Sequence, residues 1–65
     1  MSLEFLCNML IPELPVKVYG KLPGEKEAHE LDEFLAGEVH TRKYRNQRIS
    51  SYKFHTEHIV MVVEF

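Results

Sequence analysis

The sequence predicts an α+β fold: a small antiparallel sheet, made of one short strand and a three-stranded meander, with one helix on one face. Three observations predict it. A chain of 65 residues, 45% hydrophobic and 28% charged, has the composition of one folded domain and the length of no more than one. Apolar spacing is helical in the segment that ends at Gly37 and alternates after it. Pro12, Pro15, Pro23 and Gly24 fall between the periodic segments rather than inside them.

In chain order, Leu3, Leu6, Cys7 and Leu10 follow the i, i+3, i+4, i+7 pattern behind Ser2, a candidate N-cap. Phe5 and Met9 are apolar as well, so residues 3–11 are open to a helix or a buried strand. Pro12 and Pro15 end that segment, because proline lacks a backbone donor and restricts the residue before it. Val16-Lys17-Val18-Tyr19 alternates as a strand over 16–19, and Leu22-Pro23-Gly24 reads as a turn with a positive φ at the glycine.

The spacing predicts a helix over 25–36, with acids in its first turn, an Ala28, Leu31 and Leu35 stripe, and Gly37 as its left-handed C′ residue. Residues 39–65 then read as a meander: strands near 39–45, 48–55 and 58–65, with turns at Asn46-Gln47 and at 55–58. Those turns pair Phe54 with Ile59, Tyr52 with Met61, Ser50 with Val63, Thr41 with Tyr52 and Val39 with Phe54. Register therefore predicts a core face of Val39, Thr41, Tyr52, Phe54, Ile59, Met61, Val63 and Phe65. The opposite face holds His40, Arg42, Tyr44, Ile49, Ser51, Lys53, Val60, Val62 and Glu64, which the rest of so short a chain cannot fully cover unless residues 3–11 do so.

Size makes that second face informative. Burial at ~25 cal/mol/Å² yields roughly 100 kcal/mol for a chain of this length, and ordering it costs about the same. A second subunit or a partner would stabilise it. An uncovered patch of Tyr44, Ile49, Val60 and Val62 has the composition of a protein interface. The expectation is a non-catalytic binding protein, a homodimer that also engages a protein partner. By analogy of size, it suits a bacterial or phage accessory protein.

Charge gives the alternative. Residues 1–38 carry three lysines against eight acids, whereas 39–65 carry five cations against two acids, within a net charge of −2. In the basic half Arg42, Tyr44, Arg48 and Lys53 form a candidate surface for RNA, DNA or a phosphorylated ligand. The basic hairpin followed by an apolar C-terminal strand, residues 44–65, is similar to the sheet of ribosome-dependent RNase toxins of toxin–antitoxin systems. Those toxins have a longer chain and basic helices where this sequence predicts an acidic one. The resemblance keeps RNA among the partners without fixing a family.

Other chemistry finds little footing. His55, Glu57 and His58 share one turn, but His40 lies far along its strand and no cysteine joins them, so no metal or other cofactor is expected. No pocket is foreseen that would tune a general acid or base, and Pro12-Glu13-Leu14-Pro15 serves to reverse the chain. The single Cys7 forms no internal disulfide and reads as a buried hydrophobe. The longest apolar run, 59–63, is too short for a membrane span, and Leu3–Ile11 lacks the flanks of a signal peptide. These features predict a soluble cytoplasmic protein.

Overall fold

The computed structural model describes residues 1–65. It contains helix α1 (Leu3–Cys7), strands β1 (Pro15–Gly20) and β2 (His29–Leu35), a 3-10 helix (Ala36–Thr41), and strands β3 (Arg48–Phe54) and β4 (Ile59–Glu64). The fold is a small α+β domain. Its four-stranded sheet has the order β2-β1-β4-β3. Two antiparallel hairpins, β1-β2 and β3-β4, are joined by parallel pairing of β1 with β4, from Val16 opposite Ile59 to Gly20 opposite Val63.

Helix α1 spans five residues, too short to persist alone. Ser2 Oγ accepts the Phe5 N–H at 3.1 Å, and the free N–H groups of Leu3 and Glu4 donate to the carbonyls of Gln47 and Arg45, each at 2.8 Å. The turn before β3 thus caps the helix, and its buried face of Leu3, Leu6 and Cys7 packs on the sheet. The 3-10 helix lies beside α1 and is tied to the N-terminal loop by Gly37 N–H to Pro12 O and Ala36 N–H to Leu14 O. A Cβ on Gly37 would lie 2.9 Å from Pro12 Cβ, so close approach is what glycine permits there. Together α1 and the 3-10 helix cover the inner face of the sheet, where Val16, Val18, Phe34, Ile59, Met61 and Val63 complete the core with Ala36 and Val39.

Several expectations hold. The strand at 16–19 is β1, and Gly24 has φ of 89° in a Pro-Gly turn closed by Glu25 N–H to Leu22 O. Of the two forms open to residues 3–11, Leu3–Cys7 takes the helical one, with Ser2 as its cap. Phe54 pairs with Ile59 and Tyr52 with Met61.

Others are corrected. Residues 25–36 form no α-helix; His29–Leu35 is a strand on β1. Phe34 is the buried residue of this strand, whereas Ala28 and Leu35 of the expected stripe are exposed. A bulge at Leu31 breaks the alternation that would have revealed the strand. Gly37 accordingly has no positive φ. Residues 39–45 form no strand either. One side of β4 is taken by β1, and the outer side of β3 is taken by Met1 and Ser2 at Arg48 and Ile49, where a hairpin turning at Asn46-Gln47 would have to begin its pairing. The sheet is therefore mixed rather than antiparallel, and the Thr41–Tyr52 and Val39–Phe54 pairs do not form. A second bulge at Ser50 sets Ile49 opposite Val63 in place of Ser50. Tyr52, Phe54 and Phe65, expected in the core, are exposed because the short cover of α1 and the 3-10 helix does not reach them.

Gly20 sits where β1, β2 and β4 converge. A Cβ there would lie 2.8 Å from Leu31 Cδ1, 3.0 Å from Val63 Cγ2 and 3.1 Å from Phe65 Cε2. Gly20→Ala is expected to lower stability by about 1–3 kcal/mol through overpacking, measured by urea denaturation. Unchanged stability would show that these side chains yield freely.

Candidate functional site

The outer face of the sheet, opposite the helices, is covered by no other element. Pairing fixes which side chains share it, since residues opposite one another lie on one face. One row runs Glu33, Lys17, Val60, Lys53 across β2, β1, β4 and β3; the next runs Glu30, Tyr19, Val62, Ser51. Leu35 opposite Pro15 extends the apolar surface at one end. Lys17, Tyr19, Val60 and Val62 are half-buried, while Lys53, Glu30 and Glu33 are exposed. The face thus has Val60, Val62 and Tyr19 with the single cation Lys17 on the two middle strands, an acidic margin on β2 and Lys53 on β3.

Of the expected interface residues, Val60 and Val62 stand on this face. Tyr44 and Ile49 do not. Tyr44 packs edge-to-face on Phe65 with ring centroids 5.6 Å apart and touches the core, as does Ile49 once the Ser50 bulge turns it inward. Sequence reasoning missed Lys17 and Tyr19. Their strand was legible, but its parallel register on β4 joins residues near opposite ends of the chain and leaves no local signal.

The basic constellation is not brought together. Arg42 lies over the Phe34 ring, 5.4 Å from its centroid, and forms a bidentate pair with Asp32: Nε to Oδ2 at 2.9 Å and an Nη to Oδ1 at 2.6 Å. The Asp32 side chain is 12% exposed, and its bonds raise the Arg42 pKa further above its ordinary value. Arg48 reaches Glu64 at 3.7 Å across the end of the hairpin. Only Lys53, of Arg42, Tyr44, Arg48 and Lys53, projects from the outer face without an acidic partner.

At the tip of the β3-β4 hairpin His55 and His58 stack with centroids 4.6 Å apart and planes 6° from parallel, lining an open depression with Thr56 and Glu57. No three His, Cys, Asp or Glu side chains converge on a point where they could hold a metal ion. No helix is long and apolar enough to cross a membrane. Comparison with protein-family models, curated proteins and solved structures found no match to this chain.

Burial pushes the Cys7 thiol up to about 11. A thiol whose folded pKa exceeds its unfolded value contributes its full share of stability below the unfolded value of 9.0 and loses it as pH rises through about 11. Wild type is expected to lose about 2–3 kcal/mol of stability over that range relative to Cys7→Ala, measured by thermal denaturation. Parallel pH profiles of the two proteins would contradict this.

Proposed function

We propose that this chain is a non-catalytic binding protein that works as a homodimer, two copies packing through their outer sheet faces. The observation that carries this reading is the order across that face: Glu30 and Glu33 on β2, Lys17 and Tyr19 on β1, Val60 and Val62 on β4, Lys53 on β3. A second copy turned about an axis parallel to the strands reverses the strand order. Its β2 then lies over β3 and its β1 over β4, so that Glu33 of each copy meets Lys53 of the other, while Val60 and Val62 of each meet the Lys17 stem and Tyr19 of the other at the centre. An axis perpendicular to the strands would set acid on acid. Charge therefore selects one of the two simple arrangements.

Size sets the strength. Four strands spaced ~4.8 Å apart and six residues at ~3.3 Å each give a face of about 19 × 20 Å. That is roughly 400 Å² per copy before side-chain relief, at the weak end for a specific interface, and a micromolar dissociation constant is expected.

Sedimentation equilibrium tests the arrangement. Val62→Asp buries a carboxylate at the centre and is expected to give a monomer. Glu33→Lys and Lys53→Glu are each expected to weaken the dimer about two- to fivefold, and the double variant to recover most of that loss. Single losses that merely add in the double variant would reject this packing, and association unaffected by Val62→Asp would reject the face.

A further inference from the structure

The two edges of the sheet are unlike. On β2 the exposed edge carries Glu30, Asp32 and Glu33, is bent by the bulge at Leu31, and has its Glu33 N–H occupied by Asp32 Oδ1 at 2.8 Å. These are the devices that keep an edge from pairing. On β3 the outer side is occupied only at its beginning, where Ile49 N–H donates to Met1 O and Ser2 bridges Arg48. Beyond Ile49 no backbone hydrogen bond leaves the outer side of the strand. His55 N–H points across the hairpin to His58 O, and alternation along an antiparallel pair turns the N–H groups of Tyr52 and Phe54 outward, unpaired.

Side chains along this open stretch sort by face. Tyr52 and Phe54 stand on the inner side, edge-to-face at 5.9 Å, and are 48% and 56% exposed at the limit of the core. Lys53 stands between them on the outer side. The surrounding segment, residues 39–56, contains five cations and no acid. Arg42 is held by Asp32 and Arg48 by Glu64, while Lys43, Arg45 and Lys53 have no carboxylate within ion-pair distance.

From these observations we infer that the free edge of β3 accepts an extended peptide strand whose residues alternate acidic and apolar. Its backbone takes up the Tyr52 and Phe54 N–H groups. Its apolar side chains continue the core over the two rings, and its acids meet Lys53 on the other side, because alternate residues of a strand face opposite ways. A second copy pairing β3 on β3 would bring two basic edges together over only about four residues, too small an area to offset the repulsion. A stacking platform for single-stranded nucleic acid needs rings and cations on one side, and here Lys53 is on the side away from the rings. The backbone of this edge remains open when the outer faces pack, but Lys53 then also faces Glu33 of the second copy, so the inference is tested on the Val62→Asp variant as well as on wild type.

The probes are a fluorescein-labelled heptapeptide alternating glutamate and valine, its lysine–valine counterpart, and a labelled oligothymidine, each titrated by anisotropy into wild type and Val62→Asp. The acidic peptide is expected to bind both proteins at least about tenfold more tightly than the other two probes. Its binding should weaken about threefold or more as salt rises from roughly 50 to 300 mM. Hydrogen exchange at the Tyr52 and Phe54 amides should slow only in its presence. Lys53→Glu is expected to reverse the preference between the peptides, and Tyr52→Ser with Phe54→Ser to abolish it. Equal binding of the peptides, tighter binding of the oligonucleotide, unprotected amides in the complex, or protection that grows with protein concentration alone would each overturn the inference. Loss of the dimer with peptide binding intact would overturn the outer-face reading only.

Discussion

Parallel pairing of β1 with β4 is the contact on which the rest of this structure depends. It joins two hairpins that would each be marginal alone, and it unites residues near opposite ends of the chain, Val16 with Ile59 and Val18 with Met61. All four of these side chains are fully buried, and they form the floor on which α1 and the 3-10 helix rest. The same pairing places Lys17 beside Val60 and Tyr19 beside Val62 on the opposite face. Core and candidate interface are thus two sides of one register: a one-residue slip would exchange them.

Which parts of the fold the sequence discloses follows from the range of the interactions involved. The Ser2 cap and the Leu3, Leu6, Cys7 stripe act within one helical turn, and the Pro23-Gly24 turn within four residues, so each is legible locally. The β3-β4 hairpin is nearly so, and only the Ser50 bulge displaces its register, which moves Ile49 from the outer face to the core. Residues 29–35 mislead for the opposite reason. Leu31 and Leu35 share helical spacing with Ala28, yet the pairing partner that makes them a strand is β1, and the bulge at Leu31 erases the period of two. Residues 39–45 alternate enough to suggest a strand. Whether they become one depends on a free sheet edge, and Met1 and Ser2 occupy the relevant end of it.

The charge asymmetry of the sequence becomes a property of the sheet. The acidic first half supplies β2 and the basic second half supplies β3, and these are the two edges. One close bidentate pair, Arg42 with Asp32, links the halves, and it removes Arg42 from the basic cluster the sequence suggested. Glu30 and Glu33 on β2 stay apart from Lys53 on β3 across the width of the sheet. That separation gives the outer face a direction, makes it complementary to a copy of itself in one orientation, and makes the β3 edge selective for acid. Tyr44, the ring that seemed free to bind a base, is taken up by Phe65, while Tyr52 and Phe54 take over as the exposed aromatics.

The open outer face has an explanation if two copies pack on it. Both α1 and the 3-10 helix lie on the inner face, and neither shields Val60 and Val62 on the other. The most direct measurement is the mass of the unmodified protein by sedimentation equilibrium over micromolar to millimolar concentration. The mass is expected to rise from 7.7 kDa toward twice that value, along a single monomer–dimer curve. A mass that stays at 7.7 kDa throughout would contradict the account.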